Sequence, residues 1–228
     1  MSGSPEWRFD PYTGRLVLLS PEREAKPEVV TDHDCPFCAN RESHTEPEVL
    51  AYRPSGMAPN SNGWLVRVFP NKYAALRPPL GQAEVFVDCP HHETVFHRLE
   101  QSQIAKVLLA WRDRLAWYRK QGRYPFVQIF KNQGAGAGAS VPHCHSQLIA
   151  SQRIPDAITR ELQHFQKMHT SLGQCPTCHE MQSVEAATRR IWESEHFSAL
   201  CPVAPRQAYE TWLLPKRCAP NFETTSET

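Results

Sequence analysis

The chain has 228 residues, with 25 basic and 24 acidic side chains and a formal charge of +1. A chain of this length can form one large domain or two small ones and can bury a hydrophobic core without disulfides. The balanced charge excludes the broad positive field that attracts nucleic acid or anionic membranes, so an anionic ligand has to be held by local groups.

The predicted secondary structure alternates short strands with one long helix. Strands are predicted where β-branched, aromatic and aliphatic residues cluster, at residues 15–19, 64–69, 84–88, 125–130 and 146–150. Between the third and fourth strands, apolar residues recur every three or four positions from Ile104 to Tyr118, including Leu108, which predicts a long amphipathic helix. A second helix is predicted after Pro155, and residues 191–214 again have strand character. This order indicates an α+β fold in which antiparallel strands carry a packed helix.

Eight cysteines are present, and four of them form two C-P-x-C pairs, at residues 35–38 and 175–178. The N-terminal sequence has no apolar leader, and no apolar run approaches the roughly 18 residues of a membrane helix. We therefore expect a cytoplasmic protein whose thiols stay reduced, where clustered cysteines more often bind metal. A redox dithiol is the alternative for the first pair, although the βαβ context typical of such motifs is missing.

A faint internal repeat connects the two cysteine pairs. After the first pair, His92 follows Glu84 by eight residues, and after the second pair, Cys218 follows Glu210 by the same offset. The second half ends before any counterpart of residues 126–147, so it reads as an incomplete copy of the first. We expect one domain at residues 1–152 and a partial repeat at residues 153–228.

Residues 132–147, with the sequence NQGAGAGASVPHCHSQ, are the most informative segment. Glycines and small side chains allow backbone N–H groups to approach phosphate oxygens. A strand that begins at His143 places His143, His145 and Gln147 on one face, because side chains two residues apart point the same way. An imidazole with a fixed tautomer is a competent nucleophile toward phosphorus. The pattern predicts a phosphate site with a nucleophilic histidine, and two surface histidines on a strand are the alternative.

This segment resembles the motif of the galactose-1-phosphate uridylyltransferase family of the histidine-triad superfamily. Its residues are especially similar to those of the ADP-glucose phosphorylase-like branch. The matching positions are Asn132, Gly138, Ser140, His143, His145 and Gln147. The resemblance implies that His145 is the nucleophile, that Gln147 and Ser140 assist the transfer, and that Asn132 and Gly138 bind substrate. It also implies a histidine-triad-like sheet in residues 1–152 and a partial histidine-triad-like repeat in residues 153–228.

The resemblance further implies a zinc site. Cys35, Cys38, His92 and His143 fall where the family places its zinc ligands, and a closed Cys₂His₂ set is typical of structural zinc. A tentative second set consists of Cys175, Cys178 and Cys218. Cys218 stands where relatives with a second zinc have histidine and no fourth ligand follows in the correct position, so a vestigial site is an equal alternative.

Further substrate contacts come from the same resemblance. Arg23 and Lys26 are expected to contact substrate phosphates, and Asn71 and Lys72 lie in the segment similar to the family's nucleoside-binding residues. The alternatives are a solvated charged face for the first pair and a simple turn for the second.

The function implied by the resemblance is transfer of a nucleoside monophosphate between sugar phosphates through a nucleotidyl-histidine. UDP-glucose–hexose-1-phosphate uridylyltransferase activity is the leading hypothesis. The alternatives are an ADP-sugar phosphorylase, hydrolysis of the intermediate by water, and a catalytically impaired, zinc-stabilised nucleotide-sugar-binding protein. The expected partners are a nucleotide sugar with a sugar 1-phosphate or phosphate, and a homodimer is among the expected assemblies, whereas nucleic acid and membranes are not expected partners.

Overall fold

The computed structural model describes residues 4–21 and 34–225. The chain divides into two compact units, Met1–Arg153 and Ile154–Thr228. This division lies next to the boundary expected at residues 152/153, and the interpretation of the second unit as a partial repeat stays a prediction. Across the two described ranges, none of the helices is both long and apolar enough to span a bilayer.

The first unit contains a two-stranded hairpin, a five-stranded antiparallel sheet and a long helix. In chain order its elements are β1 (Glu6–Phe9), β2 (Leu16–Leu19), β3 (Leu50–Tyr52), β4 (Val66–Pro70), β5 (Gly81–Val87), α1 (Gln101–Gln121), β6 (Phe126–Phe130) and β7 (His145–Ser151). The hairpin is β1-β2, and the sheet has the strand order β3-β4-β5-β7-β6. The α+β architecture expected from the sequence is therefore confirmed.

Strand β7 has a neighbour on each side, which fixes the position of the His-x-His segment. His145 lies opposite Val87 of β5, and Gln147 lies opposite both Val85 of β5 and Phe130 of β6. A one-residue slip would turn every side chain of β7 to the other face, so this double pairing specifies which residues reach the pocket.

The two faces of the sheet bury different clusters, because successive side chains of a strand alternate. One face packs against α1, and its cluster includes Val66, Val68, Phe86, Leu148 and Ala150 of the sheet with Val107, Ala110 and Tyr118 of the helix. The opposite face buries Trp64, Phe69, Val85 and Val87, with Phe37 packed against them. We call these the helix face and the pocket face.

Helix α1 follows the predicted apolar periodicity with one correction. It ends at Gly122, which takes a left-handed conformation with φ of 63° and donates its N–H to the carbonyls of Tyr118 and Arg119. The placement of Leu108 in the packed stripe was wrong, since this side chain is exposed. Arg114 is buried instead, because Glu84 of β5 accepts a hydrogen bond from its Nε at 2.8 Å.

A buried arginine anchors the loop that precedes β3 to the pocket face of the sheet. Arg67 of β4 is 2% exposed, and it donates to the Thr45 hydroxyl at 2.6 Å and to Glu48 Oε2 at 3.2 Å. Its guanidinium also stands 5.0 Å from the centre of the Phe69 ring. A planar guanidinium with several donors can bind several loop groups at once, so Arg67 holds residues 42–48 against the sheet.

The second unit has three helices and a three-stranded antiparallel sheet within its described residues. They are α2 (Asp156–Leu172), α3 (Pro176–Gln182), α4 (Val184–Arg189), β8 (Arg190–Glu193), β9 (Phe197–Leu200) and β10 (Trp212–Pro215), with the strand order β10-β9-β8. The predicted second helix corresponds to α2. Its apolar residues share one face, yet none of its side chains is buried, and Leu162 is 56% exposed.

Removal of the buried Arg114 charge tests how this part of the core is held. Arg114→Leu leaves the Glu84 carboxylate buried without its charged partner, so we expect the free energy of unfolding to fall by about 3–5 kcal/mol in urea titrations. Arg112→Leu is the matched control, because the Arg112–Asp113 pair is more exposed and should be worth less than about 1 kcal/mol. Equal losses for the two variants would contradict this interpretation.

Candidate active site

A cavity of about 430 Å³ opens on the pocket face beside β7. All seven residues predicted for catalysis or substrate binding that the structure describes line this cavity, namely Asn71, Lys72, Asn132, Gly138, Ser140, His145 and Gln147. They come from three separate segments of the chain, so the fold assembles the site from the sheet and its flanking loops. Arg23 and Lys26 lie outside the described residues.

His145 is held in one tautomer by its own strand. Its Nδ1 lies 2.8 Å from the backbone oxygen of His143. A carbonyl oxygen only accepts hydrogen bonds, so Nδ1 carries the proton and donates it. In the neutral form of the ring the lone pair is then on Nε2, which is the form that a nucleophile toward phosphorus requires.

The glycine-rich segment forms a tight turn, and this narrows the predicted phosphate cradle. The N–H groups of Ala137, Gly138 and Ala139 donate to carbonyls within the turn, to Gly134, Ala135 and Gly134 respectively. Gly134 and Gly138 have φ near +80°, a conformation that favours glycine. These three amides already donate within the turn, so fewer backbone N–H groups of this segment are available to a phosphate than its glycine content suggested. Ser140 lines the cavity and takes no part in these turn bonds.

Strand β7 begins at His145, one residue before the strand predicted at residues 146–150 and two residues after the start at His143 that was assumed for the His-x-His alternation. His143 precedes it, is fully buried, and points toward the first cysteine pair. The rings of His143 and His145 still lie on the same side of the strand, since both contact Phe37.

Cys35, Cys38, His92 and His143 converge into one cluster whose potential ligand atoms all lie within 4.8 Å of one another. The Nδ1 of His143 is 3.5 Å from Cys35 Sγ and 3.6 Å from Cys38 Sγ, and the Nδ1 of His92 is 3.4 Å from Cys38 Sγ. Tetrahedral coordination with metal–sulfur and metal–nitrogen bonds of about 2.3 and 2.0 Å separates such atoms by about 3.5 Å. The four residues therefore fit a single tetrahedral metal ion.

The second nitrogen of His143 prepares this ring for metal binding. Its Nε2 lies 2.9 Å from the backbone oxygen of Cys89 and so donates its proton there, which leaves the Nδ1 lone pair for the metal. Burial lowers the pKa of His143 to about 4, so the ring is neutral at pH 7. Without metal, His143 is protonated below its ordinary pKa of 6.5 in the unfolded state, whereas in the folded state it stays neutral down to about pH 4. Stability of the metal-free protein consequently falls as the pH drops from about 6.5 toward 4.

Phe37 links the cysteine pair to His145. It lies between Cys35 and Cys38 in the sequence, and its ring packs edge-on against His145, with a centroid separation of 5.4 Å. The same ring lies 5.8 Å from Phe69. A metal that fixes the two thiolates would thus also fix an aromatic wall of the cavity.

The sequence interpretation missed several residues that line the cavity. They are Asp34, Phe37, His44, Thr45 and Glu46. His44, Thr45 and Glu46 belong to the loop that Arg67 anchors. The only sequence signal for this contact was an arginine within the strand predicted at residues 64–69. The turn alternative for Asn71 agrees with the geometry as well, because its Oδ1 accepts the N–H of Tyr73 at 2.9 Å while the residue lines the cavity.

In the second unit, Cys175, Cys178 and Cys218 also come together with their sulfur atoms within 4.8 Å of one another. The predicted grouping of these three cysteines therefore exists in the structure. Three sulfur ligands alone do not complete a tetrahedral site. The use of this cluster stays a prediction.

A histidine, an amide and a hydroxyl line a cavity of about 430 Å³ next to a Cys₂His₂ cluster, an arrangement that fits a nucleotidyltransferase. Residues 2–155 match the family description galactose-1-phosphate uridyl transferase, N-terminal domain. The chain belongs to this family.

Individual relatives agree with this assignment. The chain is 31% identical to an ADP-glucose phosphorylase of Arabidopsis thaliana, over 96% of this chain and 68% of the relative. It is 28% identical to a galactose-1-phosphate uridylyltransferase of Thermotoga maritima, over 93% of this chain and 67% of the relative. A crystal structure of an Arabidopsis thaliana ADP-glucose phosphorylase with bound ADP-glucose superimposes with a TM-score of 0.74 at 32% identity, covering 98% of this chain and 72% of that one. The chain spans about two thirds of the length of these two sequence relatives.

The Cys₂His₂ cluster leads to a prediction about metal content. Cys35→Ala should lose one metal ion per chain, because three remaining ligands hold a metal far more weakly than four. His92→Ala, at the less buried side of the cluster, should lose the same ion. Elemental analysis by mass spectrometry measures the loss, and Cys201→Ala is the control, since Cys201 belongs to neither cysteine cluster. Unchanged metal in both cluster variants would show that these residues do not bind it.

Proposed function

We propose that this protein transfers a nucleoside monophosphate between phosphate-bearing substrates through a covalent nucleotidyl-histidine at His145. The observation that carries this proposal is the fixed tautomer of His145, whose Nδ1 donates to the His143 carbonyl and leaves Nε2 as the nucleophilic atom in the cavity. Membership of the galactose-1-phosphate uridyl transferase family supports the same chemistry.

The reaction has two displacements at one phosphorus atom. The Nε2 lone pair of His145 attacks the α-phosphorus of a nucleotide sugar, an N–P bond forms, and the sugar 1-phosphate leaves with the electron pair of the broken P–O bond. An oxygen of the acceptor phosphate then attacks the same phosphorus, and the electron pair of the N–P bond returns to Nε2. Splitting the transfer into two steps lets one cavity serve the donor and the acceptor in turn.

The other cavity residues contribute positioning and electrostatics. The Gln147 amide and the Ser140 hydroxyl can donate to the equatorial oxygens of the transferred phosphorus, where negative charge is greatest during displacement. Asn132, Gly138, Asn71 and Lys72 line the cavity, and we propose that the first two contact the transferred phosphate and the last two the nucleoside. Arg23 and Lys26 are proposed to bind substrate phosphates on the basis of the family resemblance.

We propose that the Cys35, Cys38, His92 and His143 cluster holds zinc. A zinc ion with four protein ligands has no open position for water, so its contribution is structural, tying the loop of Phe37 to the residues that precede β7. A second zinc at Cys175, Cys178 and Cys218 is proposed because three thiols are grouped there. We also propose a cytoplasmic location, since metal binding at both clusters needs reduced thiols.

The proposed donor is a nucleotide sugar and the proposed acceptor is a hexose 1-phosphate, as in a uridylyltransferase; inorganic phosphate as acceptor would instead give an ADP-sugar phosphorylase. Similarity to relatives of both kinds supports both assignments. Ser146 directly follows His145, but it lies on the helix face of β7, away from the cavity. It therefore makes no contact in the cavity that would favour one acceptor over the other. A homodimer is the proposed assembly.

Replacement of the nucleophile tests the mechanism. Incubation with UDP-glucose or ADP-glucose should add the mass of UMP or AMP to the intact protein, and His145→Asn should abolish this adduct and lower turnover by at least about 10³-fold. His97→Asn is the matched control, because His97 is exposed and outside the cavity. Full turnover by the His145 variant would exclude the mechanism.

Paired assays separate the substrates. UDP-glucose with galactose 1-phosphate should yield UDP-galactose if the uridylyltransferase assignment holds, and ADP-glucose with inorganic phosphate should yield ADP if the protein is a phosphorylase. An adduct that decays in water without an acceptor would indicate hydrolysis. Calorimetric binding of a nucleotide sugar with neither adduct nor product would identify an impaired binding protein.

A further inference from the structure

A buried polar cluster lies directly behind the cavity, on the helix face of β7. It consists of Asp88, Lys131 and Ser146, and we call it the back-face cluster. We propose that the back-face cluster positions His145 for attack, with Lys131 as its central residue. The proposal rests on the nucleophilic role proposed for His145.

Asp88 is the acceptor that organises the cluster. Its carboxylate is fully buried, and the Ser146 hydroxyl lies 3.1 and 3.2 Å from its two oxygens. The Lys131 ammonium lies 2.7 Å from Asp88 Oδ2 and has a side chain that is 15% exposed. A buried carboxylate is stable only when such partners compensate for lost water.

Lys131 also contacts the backbone of the nucleophile. Its Nζ lies 2.9 Å from the carbonyl oxygen of His145 and 3.1 Å from the sulfur of Cys144. An ammonium has three N–H donors, so these contacts and the bond to Asp88 account for all of them. The charged donor fixes the peptide plane between His145 and Ser146 more firmly than a neutral donor would.

His145 is thus held from both faces of the sheet. On the pocket face, its ring donates to the His143 carbonyl, and on the helix face, its own carbonyl accepts from Lys131. The preceding peptide is tied to the same cluster, because the backbone N–H of Asp88 donates to the Cys144 carbonyl at 3.1 Å. Together these bonds restrict both the backbone and the ring, and so they fix the position of Nε2.

The position of Lys131 follows from the sheet. It comes directly after β6, whose last residue, Phe130, lies opposite Gln147. Lys131 then points to the helix face beside Ser146, while the next residue, Asn132, lines the cavity. One strand end therefore supplies a substrate-binding residue to the front and a positioning residue to the back.

A purely stabilising ion pair would have the same contacts, so the test has to separate stability from positioning. Lys131→Met leaves Asp88 buried without its charged partner and should lower the urea midpoint of unfolding. The double variant Asp88→Asn/Lys131→Met removes both charges and should recover most of that stability. The matched control is Lys120→Met, which makes the same change at an exposed position at the end of α1.

The readout is the single-turnover rate of adduct formation with UDP-glucose and ADP-glucose, alongside the dissociation constant from calorimetry. We expect the double variant to bind nucleotide sugar within about twofold of the wild type but to form the adduct roughly tenfold to a hundredfold more slowly, because small displacements of a nucleophile have effects of this size. Wild-type rates in the refolded double variant would overturn the proposal.

A second measurement keeps this outcome distinct from failure of the proposed function. If the wild type forms no adduct, nitrogen-15 NMR of the His145 ring still reports its geometry. We expect a single Nδ1-protonated tautomer in the wild type and in Lys120→Met, and a mixture of tautomers in the double variant. An unchanged tautomer in the double variant would overturn the positioning role whatever reaction the protein catalyses.

Discussion

His143 is bound at both ring nitrogens, and the geometry of the site depends on this. Its Nε2 donates to the Cys89 carbonyl just after β5, and its Nδ1 faces the thiols of Cys35 and Cys38. The backbone oxygen of the same residue then accepts from His145. One residue therefore connects the loop of the cysteine pair, the end of the neighbouring strand and the tautomer of His145. If the cluster were released, these three constraints would relax together.

The remaining cavity is built around this fixed strand by elements that do no chemistry. Arg67 attaches the loop of Thr45 to the sheet, and Phe37 extends from the cysteine pair to the edge of the His145 ring. Arg67 is buried and hydrogen-bonded, and Phe37 is partly buried and packs on other rings, so both supports are themselves held in place. Such support favours a catalyst in which the phosphorus moves little and the protein supplies geometry and charge complementarity.

Much of this arrangement could be predicted from the sequence where the signal is local. The periodicity of α1 and the alternation of His143, His145 and Gln147 depend on neighbours within a few residues. The closely spaced cysteine pairs indicate metal binding by residue type and spacing alone. The partners of Asp88 could not be predicted, because Lys131 and Ser146 reach it only through strand pairing across more than forty residues.

The errors have physical causes of the same kind. Leu108 fits the apolar periodicity, but the helix is rotated so that Arg114 meets Glu84, and a buried ion pair has no periodic signature. The glycine-rich segment suggested backbone N–H groups that are available to a phosphate. In the structure, the left-handed residues Gly134 and Gly138 shape a turn in which three backbone N–H groups already donate to carbonyls. The sequence predicted helix α2, but it did not predict that none of the side chains of this helix is buried.

The burial of Ser146 changes how the position after the nucleophile should be interpreted across the family. A side chain there meets residue 88 and the end of β6, so its identity is coupled to the partner beneath the sheet and not to the sugar or base above it. Positions 88, 131 and 146 should consequently vary as a set among relatives. The residue at this position then reflects the packing beneath the sheet and is a poor guide to the substrate.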